Sequence, residues 1–288
     1  MSEDSGKLYV CATPIGNLED ITLRALRILK EVDLIAAEDT RVTIKLLSRY
    51  GISAPLTSYH EHNEVVKGKE LIKDMKAGKT IALVSDAGMP GVSDPGHRLI
   101  RACIDEGVPV EPVPGPSALI IALVISGLPT DSFVFQGFLP RKKGERMSLL
   151  AELLGIGRTV VLFESPRRVK KTLEEIVGLD PERETVLARE LTKKFEEVIR
   201  DTASEILNRL DKTEIKGEIV LLFGPSKKAA GVISITSDKL REAVVGLIKK
   251  GMPKKLAIIE VAKKYGANKR MVYKAVIDIH EKDIKRQI

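Results

Sequence analysis

The chain has 288 residues, 43% of them hydrophobic and 30% charged, a globular balance that suffices for two domains with a sizeable core. Aromatic residues make up only 4% and tryptophan is absent, which argues against base stacking as the main way of holding RNA. The net charge of +7 is uneven: residues 236–288 hold 14 Lys/Arg against 6 Asp/Glu, and the remainder holds 33 against 34. A basic block of this kind is commonly a solvated face, and it also suits a polyanionic partner.

From Lys7 to about Gly127, short β-rich runs alternate with helical stretches. Leu8–Ala12, Leu34–Ala37, Thr80–Val84 and Val108–Val113 read as buried strands; Ile21–Lys30, Val42–Tyr50, Glu64–Lys76 and Pro95–Glu106 carry apolar residues at helical spacing. Asp94 before Pro95 reads as an N-cap and first-turn pair. The alternation predicts a mostly parallel sheet covered on both faces. The longest apolar run, Ala118–Ile125, is too short to span a bilayer and is closed by Gly127 and Pro129.

Gly127-Leu-Pro-Thr-Asp131 reads as a hinge to a second α/β unit. There the predicted strands are Ser132–Gln136, Thr159–Phe163, Glu184–Ala188 and Glu218–Phe223, and the predicted helices Ser148–Leu154, Pro166–Val177 and Ala203–Leu210. The cleft between two α/β domains is a natural ligand site. Lys227-Lys-Ala-Ala-Gly231 reads as a linker. Beyond it, one helix runs from Ser237 through Lys249, a second from Pro253 to Gly266, and a third from Asn268 or Lys269 to about His280. Ala257, Val261, Val272 and Val276 are expected to form a small core, either of a helix-turn-helix or of a simple helical cap. The division is thus 1–127, 128–228 and 236–288.

The polar, acidic N-terminus is unlike a signal peptide, and Cys11 and Cys103 sit in apolar segments without metal-ligand spacing. A cytoplasmic protein with reduced core cysteines and no metal is expected. Walker A, G-x-G-x-x-G after the first strand, H-E-x-x-H, Cys-x-x-Cys and G-x-S-x-G are all missing from the sequence. Group transfer that needs neither metal nor covalent intermediate remains.

The informative segments all fall at predicted strand ends, where open α/β sheets bind ligands. Ala12-Thr-Pro-Ile-Gly-Asn-Leu18 is a tight turn around Gly16. Ala37-Glu-Asp-Thr-Arg41 packs charge directly after an apolar strand, as a helix cap with an ion pair or as a substrate contact. Ser85-Asp-Ala-Gly-Met-Pro-Gly-Val-Ser-Asp-Pro-Gly96 forms a concave backbone surface with Asp86 at the strand end, ready to accept from a ribose hydroxyl or an ammonium. Val113-Pro-Gly-Pro-Ser-Ala118 leads into the apolar helix, with Ser117 as its expected cap. Leu162-Phe-Glu-Ser-Pro-Arg-Arg168 and Ala188-Arg-Glu-Leu-Thr-Lys-Lys-Phe-Glu-Glu197 add charge from the second unit, and the shared placement predicts one cleft.

With Thr13-Pro-Ile-Gly-Asn-Leu18, Ala37-Glu-Asp-Thr-Arg41, Ser85-Asp-Ala-Gly88 and Ala188-Arg-Glu-Leu-Thr192 in this order, the chain resembles the tetrapyrrole-methylase superfamily from about Leu8 to Phe223. Within it, the chain is most similar to the branch that methylates a cytidine ribose 2′-OH of 16S ribosomal RNA. The resemblance implies two α/β domains with a small helical C-terminal segment, a homodimer, and S-adenosylmethionine as donor in the interdomain cleft. It implies a donor pocket of Pro14, Ile15, Asp86, Met89, Ser117, Ala118, Phe163, Leu191, Gly217 and Glu218. Met89 stands where that branch has threonine, and Thr13-Pro14 replaces the superfamily's glycine-rich first loop, which counts against a tetrapyrrole substrate.

A ribose hydroxyl is a poor nucleophile, so a carboxylate that takes its proton late in the transfer is expected, with Glu38, Asp39 and Glu164 as candidates and Glu38 first. Arg41 and Arg167 are expected near flanking phosphates, with Arg41 paired to Glu38 in the catalytic assignment and Asp39 and Glu164 otherwise facing the RNA. Lys269 and Arg270 represent the basic C-terminal helices as an RNA contact on the small ribosomal subunit. The alternatives are a methyltransferase acting on a tetrapyrrole-like small molecule, and a DNA-binding regulator whose α/β part senses a ligand.

Overall fold

The computed structural model describes residues 6–210, 215–226, 237–249, 251–265 and 269–277. The chain forms two compact units, Met1–Ser226 and Lys227–Ile288. The first begins with β1 (Leu8–Cys11), α1 (Leu23–Glu31), β2 (Leu34–Ala37), α2 (Thr40–Arg49), β3 (Leu56–Ser58), α3 (Glu64–Lys76), β4 (Ile81–Val84), α4 (His97–Asp105), β5 (Val110–Val113) and α5 (Ala118–Ser126). The strands pair in the order β3-β2-β4-β1-β5, all parallel. Side chains alternate across a strand. Cys11, Ile35, Ala37 and Val84 therefore meet Ile28 and Leu29 of α1 and Leu46 and Leu47 of α2, while Val10, Ala36, Ile81 and Leu83 meet Leu71 and Met75 of α3 and Leu99 of α4. Both faces are covered, as the continuous apolar strands require. Parallel pairing also brings the loops after β1, β2, β4 and β5 out along one edge.

A second sheet follows: β6 (Phe133–Phe138), α6 (Lys143–Gly155), β7 (Thr159–Glu164), α7 (Pro166–Leu179), β8 (Glu184–Arg189), β9 (Glu197–Thr202), α8 (Ala203–Leu210) and β10 (Ile219–Phe223). Its order is β6-β7-β10-β8-β9, with β6 and β7 parallel and the other pairs antiparallel. Leu150, Leu173, Ile176 and Ile206, from α6 to α8, cover one face. The other face, through Val161, Val186, Val220 and Leu222, packs on Ala122 and Leu123 of α5. This explains the apolar run Ala118–Ile125: α5 links the first sheet to the second.

The second unit has three helices, α9 (Ser237–Lys249), α10 (Lys254–Tyr265) and α11 (Lys269–Ala275). Leu240, Val244 and Ile248 pack there with Ala257, Val261, Val272 and Val276, the four positions expected as its core. The expected end near His280 and the side chains of Lys269 and Arg270 lie outside the described residues.

Three expectations are corrected. β3 and β9 are additional strands; β3 has only three residues, and β9 is a polar edge strand whose charged residues read as loop. α6 starts at Lys143 rather than Ser148, because its first turn is polar. α4 starts at His97 with Gly96 at its cap position and no side-chain cap, so Asp94 does not cap it. Both cysteines are free and buried, and burial pushes their thiols up, Cys11 to about 12 and Cys103 to about 11. Among the described residues, no helix is long and apolar enough to cross a membrane.

α6 and α7 are locked by Arg146, whose guanidinium donates to both carboxylate oxygens of Glu175 at 2.7 and 2.6 Å and to the Arg141 carbonyl at 2.8 Å. The two side chains are only 5% and 9% exposed. Breaking such a pair leaves a buried uncompensated charge. Glu175→Ala is expected to destabilise the protein by about 3–5 kcal/mol, measured by urea denaturation.

Candidate active site

Thr13 stitches the loop after β1 to the glycine loop after β4. Its N–H donates to the Gly88 carbonyl at 2.9 Å, the Gly88 N–H donates back at 3.0 Å, and its Oγ1 donates to the Ser85 carbonyl at 3.0 Å. Gly88 holds φ +82°, a conformation that favours glycine. The loop after β2 joins the same edge: Glu38 Oε2 accepts from the Asp86 N–H at 3.2 Å, and Asp86 Oδ1 accepts from the Asp39 N–H at 3.1 Å. Each of these two carboxylates is thereby fixed by a backbone N–H of the other loop.

The second sheet closes the opposite side. The turn after β8 carries Glu190 and Thr192 at positive φ (52° and 64°), with Leu191 buried between them. Thr192 Oγ1 accepts from the Asn17 N–H at 3.0 Å, and Glu190 Oε1 accepts from the Glu218 N–H at 3.0 Å. Gly217, at φ +91°, lies where a Cβ meets the Glu190 carboxyl at 2.3 Å.

These loops enclose a cleft of about 390 Å³. Nine of the ten residues assigned to the donor pocket line it: Ile15, Asp86, Met89, Ser117, Ala118, Phe163, Leu191, Gly217 and Glu218. Pro14 does not; it sits buried in the loop behind. Ser117 occupies the cap position of α5 without a side-chain cap bond, which corrects the capping expectation, and it is among the residues that line the cleft. Glu38 and Glu164 also line the cleft.

Glu164 is saturated: its oxygens accept from the Ser165 N–H at 2.9 Å and Thr172 Oγ1 at 2.7 Å, and Arg168 Nε stands 3.3 Å away. Asp39 caps α2 through the Arg41 N–H at 2.8 Å and pairs with the Arg41 guanidinium at 2.6 Å, which holds its carboxyl down at about 2. Arg41 thus pairs with Asp39 rather than with Glu38, and it and Arg167 are exposed outside the cleft lining. Glu38 differs: burial raises its pKa above the ordinary carboxylate value, opposed by the Asp86 N–H and reinforced by the charge of Asp86.

Asp94, expected only as a cap, is the residue that sequence reasoning missed. It lines the cleft, and burial, then the charges of Glu38 and Asp86, push its carboxyl up to about 7. Ser93 before it takes φ +64° and also lines the cleft. Besides the saturated Glu164, four carboxylate residues (Glu38, Asp86, Asp94 and Glu218) therefore line the cleft, together with apolar residues such as Ile15, Met89, Leu119, Phe138 and Leu191.

A cleft at the strand ends of a parallel sheet, closed by a mixed second sheet, defines the methyltransferase class to which the comparisons point. The model of the tetrapyrrole (corrin/porphyrin) methylases matches residues 7–207, and the chain belongs to that family. Within it, the chain is 46% identical over 273 residues to ribosomal RNA small subunit methyltransferase I of Halalkalibacterium halodurans, covering 94% of each. It is 49% identical over 218 residues to the protein of that name from Thermotoga maritima, covering 76% of this chain and 98% of the relative. Among solved structures, uroporphyrin-III C-methyl transferase from Thermus thermophilus, complexed with S-adenyl homocysteine, superposes with TM-score 0.55 at 22% identity over 76% of this chain and 97% of its own. A diphthine synthase gives 0.60 at 15% identity, over 76% and 90%. The last two show the shared fold.

Asp94 has a signature in stability. Its folded pKa lies above the ordinary value of 3.8, so its ionisation destabilises the fold progressively from about pH 4 to pH 7 and fully above. Asp94→Asn is expected to melt higher than wild type at pH 8, with the gap closing below about pH 4 in thermal scans.

Proposed function

We propose that this chain is an S-adenosylmethionine-dependent methyltransferase that methylates the ribose 2′-oxygen of a cytidine in 16S ribosomal RNA. The observation that carries the donor is the cleft's chemistry; the names of the relatives carry the RNA. At about 390 Å³ the cleft is in the size range of small-molecule sites, roughly 300–1,000 Å³. Four carboxylates with apolar walls suit a ligand that is cationic at its sulfonium and ammonium and flat and apolar at its base. The residues present fit the donor. Asp86 and Glu218 offer carboxylates to hydroxyl and ammonium groups, while Ile15, Met89 and Leu191 offer apolar surface.

When bound, S-adenosylmethionine supplies an electrophilic methyl carbon. The chain's own task is to align the ribose oxygen with that carbon and to exclude water. Glu38 is the proposed proton acceptor. Its Oε2 is fixed by the Asp86 N–H, and among the described residues Oε1 makes no hydrogen bond. Asp39 is held ionised by Arg41, which makes it a weak base, and Glu164 has its oxygens occupied. Arg41, 86% exposed in the turn that follows Glu38, can reach a phosphate at the expense of a solvent-exposed ion pair, and Arg167 is exposed at the first turn of α7.

The reading also carries a homodimer and a cytoplasmic location. Ile120 and Val124, 46% and 68% exposed on α5, are an apolar surface of the kind that subunit contacts cover. The C-terminal unit, with its surplus of basic residues, is proposed as an RNA contact.

Labelled methyl transfer to small subunits lacking the modification, followed by nuclease mapping, is expected to place label on the 2′-oxygen of one cytidine. In the same assay Glu38→Gln is expected to lose about 10²–10⁴-fold in rate with donor binding intact; full activity removes Glu38 from the role. Truncation after Ser226 is expected to retain donor binding, weaken RNA binding and flatten its dependence on salt; unchanged RNA affinity makes the C-terminal unit a structural cap.

A further inference from the structure

The near-neutral charge of residues 1–235 hides a second, opposite site. Residues 141–146 and 167–171 bring eight cations (Arg141, Lys142, Lys143, Arg146, Arg167, Arg168, Lys170, Lys171) and one acid, Glu145. The fold places both stretches at the starts of neighbouring helices, α6 and α7. Between them lies a recess of about 150 Å³ lined by Arg141, Arg146, Arg168, Lys171 and Thr172. That is room for a phosphate group and too small for a nucleotide.

Cations at a helix start oppose the helix dipole, so this pattern works against α6 unless an anion joins it. Lys142 occupies the α6 cap position with no side-chain cap bond. The walls are built rather than incidental. Arg146, 5% exposed, is held by Glu175 and by the Arg141 carbonyl, and Arg168 donates to the Leu139 carbonyl at 2.8 Å. Arg141 and Lys171 stand exposed at the rim. Arg168 also stands 3.3 Å from the buried carboxyl of Glu164, a residue at the end of β7 that itself lines the donor cleft, so the recess lies one residue away from the cleft.

We propose that this recess binds a backbone phosphate of the RNA substrate, holding the strand beside the donor cleft. The proposal rests on the RNA reading above and adds a site to it. The length of one relative supports it. The Thermotoga maritima protein is matched over 98% of its length by 218 residues of this chain, fewer than the 226 of the first unit. A grip on RNA common to both is therefore to be sought outside the C-terminal unit.

The test uses the full chain with Arg141→Glu and Lys171→Glu, singly and together. These rim residues are chosen because Arg146 and Arg168 hold the fold. Binding of a single-stranded RNA carrying the target sequence is measured from low to high salt, with S-adenosylmethionine binding and melting temperature as controls. The double variant is expected to bind RNA about tenfold or more weakly, and the slope of log affinity against log salt is expected to fall by about 1 or more, with both controls unchanged. Equal affinity and slope in the variants, or no RNA binding by the wild type, overturns the recess. Methyl transfer is scored separately. RNA binding that depends on Arg141 and Lys171 without any transfer sinks the proposed reaction and keeps the recess; transfer with indifferent variants does the reverse.

Discussion

A Cβ on Gly16 would stand 2.5 Å from Lys193 Cγ, 2.7 Å from Thr192 Oγ1 and 2.9 Å from the Leu191 carbonyl. The turn after β8 therefore meets the loop after β1 by direct backbone approach, and only a residue without a side chain permits it. Much depends on this contact. It brings Leu191 to the cleft wall and lets the Asn17 N–H reach Thr192, while Thr13 ties the same loop to Gly88 on the other side. The loop after β1 is thus the common wall of two half-sites contributed by different sheets. α5 performs the corresponding task in the core, as the last helix of the first sheet and the cover of the second.

On this frame the charges are sorted by position rather than by count. Carboxylates from the loops after β2 and β4 turn inward, and there burial and the charges of Glu38 and Asp86 raise the cost of ionising Asp94. Arginines and lysines of α6 and α7 turn outward around the recess. Glu164 joins the two fields, lining the cleft while Arg168 stands beside its carboxyl. An acidic interior and a basic rim suit a reaction that unites a small cation with a polyanion, since each field attracts one reactant and repels the other.

The sheets were legible because buried strands such as Ile81–Val84 are uninterrupted apolar runs, and the helices because Glu64–Lys76 and Ala203–Leu210 keep a helical period. The cleft was legible because loops rich in glycine and proline at strand ends have few other reasons to exist. β9 was hidden by polarity: an edge strand needs no apolar alternation on its open side. Asp94 was hidden by local logic, since Asp before Pro is a good helix start in isolation. The recess was hidden by summation. Arg141 and Lys171 are thirty positions apart, and only the packing of α6 on α7 reveals them as neighbours.

Where local rules fail in this molecule, they fail in one place. Three non-glycine residues among those described take positive φ, and all border the cleft: Ser93 lines it, and Glu190 and Thr192 flank Leu191. Each costs on the order of 1–3 kcal/mol, which the surrounding bonds must offset. Glu190 is braced by the Glu218 N–H and by Lys193, and Thr192 by Asn17 and by Glu196, whose carboxyl accepts from the Thr192 N–H at 2.7 Å. The forgone cap on α4 and the raised pKa of Asp94 belong to the same account. A chain selected for stability alone would relax Ser93 and leave no carboxyl with a raised pKa. Keeping both holds Asp94 in the cleft lining, where burial and the charges of Glu38 and Asp86 raise its pKa to about 7 and its ionisation costs the fold stability.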